Sequence, residues 1–516
     1  MTTQTGDAPP RSTGFVLRAL AVIERVGNKL PHPFWLFVIL TAAITLISWL
    51  LSALDVSVVS PADGEAVAVQ SLVSGAGVRM MVEGAIENFV TFPPLGVILV
   101  VMLGVAVADK AGLLAAILRA ALSRVPAKLV TFVIAFTGMI SHIASDAAFV
   151  VMIPLGAIAY RSIGRSPMLG AVVAFVAVSG GNNASPLVTG SDAMIAGLTT
   201  AAAHTIDPGY LVTPVATYYF SLVSSIVLSV VITVVVETVL KRRVAAMNAE
   251  DPEQADTEEL PDLTLSAEER RGLRGAGITA LVIIGSVTAA MVPAGSPLRG
   301  EEGQIVASPM IENIAVFLAL LFFGAGVAYG RAVGVVRAPR DIPDLMAHGV
   351  RDLAPIMVLF FAVSQFLAYF RWTGLGEVIA ISGARTLEGL GVSPLVLFLG
   401  FIVLVSLMNL IITSGSAMWS LIGPILVPML MLLDIPPEVT WALYRIADSC
   451  TNCITPMSPY FVLALGFVRR YRPNAGIGTL ISLTLPVAMS LLAAWVLLFL
   501  AWYALGIPLG PGAPIP

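Results

Sequence analysis

The segment "DSCTNCITPMSPYF", residues 448–461, places carboxylate, hydroxyl and amide side chains inside a long apolar region of the sequence. In hydrocarbon, polar groups are costly unless they are paired or face a cavity lined by protein. Oxygen atoms of Ser, Thr, Asn and Asp suit Na⁺ or the polar groups of a substrate. Pro456 has no backbone N–H, so it leaves a helix carbonyl without its usual donor. The segment is therefore either a surface loop or a binding site.

Composition indicates that this segment belongs to a membrane protein. The chain has 516 residues, of which 57% are hydrophobic and 12% charged, and its mean hydropathy is +0.92. Soluble domains carry about 25% charged residues, and a helix of about 20 apolar residues crosses a bilayer. Apolar runs near that length recur along the chain, so we predict an all-α polytopic membrane protein in contact with the lipid bilayer. No basic patch indicates a nucleic-acid partner.

The residues give little support to an enzyme. A membrane-embedded enzyme would need a motif such as H-E-x-x-H or the acidic pair D-x-x-x-D on a helix, and neither occurs in the sequence. Cys450 and Cys453 have the C-x-x-C spacing of a redox pair or half a zinc site, but the chain has no other cysteine. We interpret both as packing residues, and expect no enzymatic activity and no cofactor apart from a bound Na⁺.

Charged segments divide the chain into two halves. Residues 1–30 carry four Lys or Arg residues and no short apolar core with a cleavage site, so we expect an uncleaved, cytoplasmic N-terminal segment. Residues 241–274 form a charged stretch that we interpret as a cytoplasmic linker between a first half, 31–240, and a second half, 275–506. We expect the last transmembrane helix at residues 476–506.

Two segments have the pattern of a re-entrant helical hairpin, with two short apolar arms around a small polar tip. Residues 126–161 have basic residues at both ends, and the positive-inside rule places both ends on the same side of the membrane. A short tilted pair of spans is the alternative for this segment. Residues 393–433 repeat the pattern around the tip "IITSGSA", with almost no basic residues at the ends.

The two halves are related by a shift of 270 residues. Pro154 then falls on Pro424, and "SGGNNASP" in the first half lies over "SCTNCITP" in the second without a gap. Each polar break interrupts a predicted helix, at residues 168–203 and 440–468. The matched loops carry opposite charge bias, which indicates opposite orientation. Inverted repeats with broken helices are typical of secondary transporters, with the binding site near the bilayer midplane. A channel is the alternative.

The breaks supply most of the candidate ligands. We predict that their amide and hydroxyl oxygens bind the coupling ion or the substrate, with Asn452, Asp448 and Ser449 as the Na⁺ ligands. The alternative is that these groups only satisfy the backbone where the helices break. The full set is Ser179, Asn182, Ser185, Ser449, Thr451, Asn452 and Thr455.

Ionisable residues inside membrane segments are rare and are functional candidates by default. Arg445 and Asp448 share a helix face, and we hypothesise that Arg445 holds a substrate carboxylate and Asp448 couples a proton or Na⁺. The alternative is a structural ion pair. Asp192 either carries a coupling proton or is the N-cap of a helix that starts at Ala193. Asp146, which overlays Ser416 in the repeat, either couples an ion or caps the second arm of the first hairpin.

Longer motifs resemble one known family. "SGSAMWSLIGPILVPMLMLL" and "YRIADSCTNCITPMSPYFVLALGFVRRY" in the second half, and "SDAAFVVMIPL" and "SDAMIAGLT" in the first, are similar to the p-aminobenzoyl-glutamate transporter (AbgT) family. That family lies in a superfamily of ion transporters that includes sodium–dicarboxylate carriers. The resemblance implies a homodimer in the bacterial inner membrane, with nine spanning helices, two re-entrant hairpins, and a transport domain moving against a scaffold.

The resemblance also implies a function and a set of residues. It implies ion-driven transport of p-aminobenzoyl-glutamate-like folate fragments, or export of sulfonamide antimetabolites; a sodium-coupled carrier of dicarboxylates is the alternative. Trp419 then stacks on an aryl ring, or only packs. The first break departs from the family pattern, because Asn182 and Asn183 come early and "ASPL" follows. Coupling to Na⁺ or to H⁺ and the direction of transport stay open. The family's functional residues fall on Asp192, Ser416, Trp419, Pro437, Arg445, Asp448 and Pro456.

Overall fold

The computed structural model describes residues 31–59, 66–122, 125–144, 147–250, 252–254, 264–300, 303–305 and 308–514. Almost all regular structure in these ranges is helical. A small antiparallel pair of strands, β1 (Ser57–Val59) and β2 (Ala66–Ala68), is the exception. In chain order the helices are α1 (Pro33–Ala53), α2 (Gly75–Val90), α3 (Pro93–Lys110), α4 (Leu113–Leu122), α5 (Val130–Ile140), α6 (Ala147–Ser162), α7 (Pro167–Gly180), α8 (Gly190–Ala203), α9 (Tyr218–Val235), α10 (Lys241–Glu250), α11 (Ala267–Met291), α12 (Pro309–Glu312), α13 (Ile314–Val333), α14 (Asp341–Trp372), α15 (Leu375–Gly389), α16 (Pro394–Asn409), α17 (Gly415–Met431), α18 (Pro437–Cys450), α19 (Pro459–Tyr471) and α20 (Ile477–Ala504).

Seven helical stretches of the described chain are long and apolar enough to cross a membrane. Two pairs of short helices each meet at a polar break. Broken helix 1 consists of α7 and α8, and broken helix 2 of α18 and α19. The fold class, an all-α membrane protein, is confirmed.

Two helical hairpins accompany the broken helices. Hairpin 1 consists of α5 and α6, joined through a 3₁₀ turn at Ser141–Ala144, and hairpin 2 consists of α16 and α17. Asp146, a predicted ion-coupling residue in the first tip, lies outside the described residues. Each hairpin packs on its own half's broken helix, α6 against α7 and α16 against α18. Hairpin 2 also crosses to the other half, because α17 packs against α8.

The repeat is visible in the helix boundaries. Helix α7 spans Pro167–Gly180 and α18 spans Pro437–Cys450, so both ends differ by the same 270 residues. Each helix begins with proline at its first position, where the missing N–H costs no hydrogen bond. The two pieces therefore start, run and stop alike, which agrees with the predicted repeat.

Hairpin 1 approaches α7 closely at two glycines. A Cβ atom on Gly156 would lie 2.4 Å from the carbonyl oxygen of Gly170, and one on Gly170 would lie 2.2 Å from that of Gly156. No side chain fits between the two backbones, so glycine at both positions is what permits this contact. It holds the second arm of hairpin 1 against the first half of broken helix 1.

A second group of helices packs beside the hairpins and the broken helices. Helices α3, α11 and α13 pack together around buried residues that include Val105, Ala276 and Tyr329, and α14 packs against α1 and α3. We call α1, α3, α11, α13 and α14 the scaffold helices. Helix α3 also packs against α8, which places broken helix 1 beside the scaffold.

Candidate functional site

A cavity of about 400 Å³ lies between the two breaks and the two hairpin tips. Hairpin 1 contributes His142 and Phe149, hairpin 2 contributes residues 413–416, and Ile356 comes from the scaffold helix α14. Five predicted site residues line it: Ser179, Asn182, Ser416, Asp448 and Asn452. The repeat therefore brings both breaks to one space, as a shared binding site requires.

Asp448 presents an unpaired carboxylate oxygen at this cavity. It lies in the last turn of α18 and is 2% exposed. Its Oδ2 accepts a hydrogen bond of 2.8 Å from Asn183 Nδ2. Its Oδ1 is buried and has no hydrogen-bond partner among the described residues. A buried carboxylate oxygen without a partner is costly, so this atom is suited to bind a cation.

Asn409, which the sequence analysis did not select, holds the second break in place. Its Nδ2 donates to the backbone carbonyl of Asp448 at 2.5 Å, to Thr451 Oγ1 at 2.7 Å and to Asn452 Oδ1 at 3.1 Å. Its own Oδ1 is buried and has no partner in the described chain. The available signal was that Asn409 is the only amide in the apolar arm "PLVLFLGFIVLVSLMNL".

Asn183 ties the two breaks to each other. Its backbone N–H and its Nδ2 donate to Ser449 Oγ, at 3.1 and 2.9 Å, and Nδ2 also donates to Asp448. Ser449 Oγ in turn donates to the carbonyl of Arg445 at 2.7 Å. The sequence prediction chose Asn182 because it overlays Asn452. Asn182 does line the cavity, but it is Asn183 that bonds the carboxylate.

Arg445 is buried against the protein and does not line the cavity. It is 3% exposed, forms an ion pair with Asp192 through Nη2, and donates from Nη1 to the carbonyl of Asn183 at 2.8 Å. Its guanidinium lies 4.4 Å from the centre of the Trp441 ring. A structural ion pair was the alternative role predicted from the sequence. In the structure Arg445 pairs with Asp192 of the other broken helix.

Asp192 occupies the third position of α8 rather than its N-cap. The helix begins at Gly190 with Thr189 as N-cap, so the expected start at Ala193 was three residues late. Thr189 donates to Asp192 Oδ2 from its backbone N–H at 2.7 Å and from Oγ1 at 2.8 Å. This capping box, together with Arg445, leaves the carboxylate fully engaged, with a structural role in the conformation seen here.

Trp419 and several hydroxyls satisfy internal contacts. Trp419 is fully buried, donates from Nε1 to Thr199 Oγ1 at 3.0 Å, and packs at a tilt against Tyr444. Thr455 Oγ1 donates to the carbonyl of Leu410 at 2.9 Å, and Ser185 Oγ accepts from the N–H of Leu187 at 3.1 Å. The remaining predicted residues outside the cavity lining are Thr451, whose Oγ1 donates to the carbonyl of Ala447, Pro437 at the start of α18, and Pro456 within the second break.

Three helix N-termini converge on the cavity. The first turns of α8, α17 and α19 contribute Ser191, Ser416 and Pro459 to its lining. Helix N-termini carry a partial positive charge and unpaired N–H groups, which bind carboxylates. The described lining residues include no Lys or Arg. Their titratable side chains are Asp448, His142, Tyr444 and Tyr460. The cavity thus offers backbone dipoles for an anion and a carboxylate oxygen for a cation.

Comparison with known proteins places these features in a family. The model of the AbgT putative transporter family matches residues 18–516 of the chain. The chain belongs to this family. A p-aminobenzoyl-glutamate transport protein of Escherichia coli K12 is 37% identical over 491 residues, which cover 95% of each protein.

Two solved AbgT-family structures agree with the fold over nearly its whole length. The YdaH transporter of Alcanivorax borkumensis superimposes with a TM-score of 0.88 at 39% identity, over 93% of this chain and 100% of that one. MtrF of Neisseria gonorrhoeae, described among a class of antimetabolite efflux pumps, has a TM-score of 0.88 at 38% identity, over 96% of this chain and 100% of that one. The resemblance to AbgT transporters is thereby confirmed, and the protein is a multi-pass membrane transporter.

Proposed function

We propose that this protein is an ion-gradient-coupled secondary transporter of p-aminobenzoyl-glutamate-like folate fragments, or an exporter of sulfonamide-type antimetabolites, in the bacterial inner membrane. One observation carries the proposal: the two broken helices and two hairpin tips enclose one cavity of about 400 Å³ beside an unpaired carboxylate oxygen. The names of the E. coli and N. gonorrhoeae relatives support this substrate class over the dicarboxylate alternative. The proposal includes no catalytic step.

The substrate's carboxylates bind at the helix N-termini in this proposal. The N-terminal turns of α8, α17 and α19 border the cavity. The side chain of Ser414 caps α17, and Ser458 occupies the N-cap position of α19. Arg445 supports this arrangement indirectly, because its ion pair with Asp192 fixes the first turn of α8. The role first given to Arg445, a direct clamp on a substrate carboxylate, would require its release from Asp192 in another conformation.

The coupling ion binds at Asp448, and we propose that it is Na⁺. The Oδ1 atoms of Asp448 and Asn409 are both buried and have no hydrogen-bond partner among the described residues, and Asp448 and Asn452 line the cavity. Both orphaned atoms are oxygens, and hard cations such as Na⁺ bind oxygen atoms, including those of unwound helices in transporters. A bound Na⁺ would compensate the carboxylate charge of Asp448, and both carboxylate and amide oxygens can coordinate it. A proton would satisfy only the carboxylate.

In this proposal the two hairpins and the two broken helices move together against the scaffold helices during transport. The protein acts as a homodimer, and its N-terminus is cytoplasmic. The cavity is lined almost wholly by the hairpins and broken helices, with Ile356 as its scaffold residue. Outward-facing apolar side chains on α11, among them Ile278, Leu281 and Val282, leave a surface for lipid or a second copy. This division supports an elevator-like motion, in which the site travels as a unit.

The test is uptake of labelled p-aminobenzoyl-glutamate into proteoliposomes under separately imposed Na⁺ and pH gradients, with Asp448→Ala as the inactive control. We expect saturable uptake that the Na⁺ gradient drives and the substitution abolishes. Uptake driven by the pH gradient alone would replace Na⁺ with H⁺. Flux that neither saturates nor responds to a gradient would contradict a coupled carrier.

A further inference from the structure

Two aromatic residues occupy symmetry-related positions on the hairpins but have different environments. Phe149 lies on α6 of hairpin 1 and Trp419 on α17 of hairpin 2, and the shift of 270 residues superimposes them. Trp419 is 0% exposed and is enclosed by Thr199 and Tyr444, whereas Phe149 lines the cavity. In this conformation an aryl group in the cavity can contact the part of the wall formed by Phe149 but cannot contact Trp419.

Phe149 supports a second aromatic ring at the cavity wall. The rings of Phe149 and Tyr460 are parallel, with centroids 3.9 Å apart and an interplanar angle of 2°. Phe149 is nearly buried, held at its edges by His142 and Phe175. Tyr460 is partly exposed and also lines the cavity. Phe149 thus covers one face of Tyr460, and both residues contribute to the cavity wall.

The position of Tyr460 also suits an aryl acid. Tyr460 is the second residue of α19, directly after Pro459, and the cap residue Ser458 lines the cavity beside it. An aromatic surface and a helix N-terminus therefore lie within one turn of each other. A ligand with an aryl ring at one end and carboxylates at the other can stack on the first and reach amide N–H groups with the second.

We propose that Tyr460, backed by Phe149, receives the aryl ring of the substrate and makes the transporter prefer aryl over alkyl N-acyl amino acids. This inference rests on the proposed function and assigns to these two residues the stacking role that the resemblance gave to Trp419. Aromatic pairs contribute beyond their buried area, and we expect removal of either ring to weaken binding of the aryl ligand by about three- to tenfold.

The test is direct binding to the purified full-length protein by titration calorimetry. The probes are p-aminobenzoyl-glutamate and N-acetyl-glutamate, which share their glutamate carboxylates and differ in the ring. The variants are Tyr460→Leu, Phe149→Leu and the conservative Tyr460→Phe. Phe220→Leu, which removes a buried ring packed against Phe499 and Trp502 away from the cavity, is the matched control.

We expect both leucine variants to weaken aryl binding by about three- to tenfold, to leave alkyl binding unchanged, and to keep the fold. Phe220→Leu should bind both probes as the wild type does, and Tyr460→Phe, which keeps the ring, should retain the preference for the aryl probe. Equal losses for both probes, or a wild type that binds the alkyl probe as well as the aryl one, would overturn the inference. Absence of gradient-driven uptake with intact aryl preference would instead overturn the proposed function, since binding is measured without transport.

Discussion

Arg445 and Asp192 form an ion pair between the two inverted repeats, 253 positions apart in the sequence. Both side chains are almost fully buried, and Arg445 also holds the carbonyl of Asn183 in the first break. The pair therefore joins α18 to the first turn of α8 and fixes the helix N-terminus that borders the cavity. The positions that the family resemblance marks as functional are here a structural link behind the binding surface.

Removing one partner of this pair should be costly. Asp192→Ala leaves the Arg445 guanidinium buried without its counter-charge, and breaking buried pairs in this way costs about 3–5 kcal/mol. We expect Asp192→Ala and Arg445→Ala each to lower thermal stability in detergent strongly, and the double variant Asp192→Ala/Arg445→Ala to lose much less than the sum of the two. Unfolding curves of the three purified variants give the measurement. Additive losses in a double-mutant cycle would contradict a direct energetic coupling.

Asp448 should control coupling rather than substrate binding. Asp448→Asn retains an oxygen that can accept from Asn183 Nδ2 but removes the charge at the cavity. We expect gradient-driven accumulation to fall at least about tenfold while substrate exchange across the membrane persists, since each lost charge-assisted contact costs about 1.5–3 kcal/mol. Counterflow and net uptake in the same proteoliposomes separate the two.

Glu438→Gln is the matched control, because Glu438 is also a buried carboxylate on α18 but bonds Tyr210 and does not line the cavity. An equal loss of accumulation in Glu438→Gln would show that any buried carboxylate on this helix suffices.

Much of this arrangement was predictable from the sequence, because inverted repeats leave a pattern of prolines and polar breaks. The two hairpins and the polar breaks after α7 and α18 follow from that pattern. The sequence did not reveal the role of Asn409, because the 270-residue shift aligns it with the apolar Met139. The repeat singles out polar residues that align with each other in the two halves. The role of Asn409 depends on α16 packing against α18, which is a tertiary contact.

The ion pair and Trp419 show a different gap between sequence and structure. The i, i+3 spacing predicts that Arg445 and Asp448 share a helix face, but it does not predict which other helix packs against that face. Packing brings Asp192 to Arg445 and leaves Asp448 to the cavity. Trp419 lies close to the tip in sequence, yet Tyr444 and Thr199 enclose it. Tertiary packing decides which helix contacts a given side chain, and the periodicity of a single helix does not predict it.

Asn409 should tune the affinity for the coupling ion. Asn409→Ala removes the amide that donates to the second break and a buried oxygen that has no partner among the described residues. Loss of groups that orient ligands lowers metal affinity by about 10–100-fold, so we expect the Na⁺ concentration for half-maximal uptake to rise at least about tenfold. The control is Asn88→Ala, which removes an amide that donates a hydrogen bond to Gln365 on the scaffold helix α14. An unchanged Na⁺ dependence in Asn409→Ala would rule out this role.

The glycine contact between hairpin 1 and α7 should tolerate no side chain. In Gly156→Ala the new Cβ would lie 2.4 Å from the carbonyl oxygen of Gly170, so the two backbones must separate. Overpacking of this kind costs about 1–3 kcal/mol, and we expect lower thermal stability together with weaker substrate binding, because hairpin 1 carries Phe149 at the cavity wall. Gly285→Ala, at an open position of α11, should be neutral or slightly stabilising. Equal stability of the two variants would show that hairpin 1 shifts on α7 without cost, and the site would then not depend on this contact.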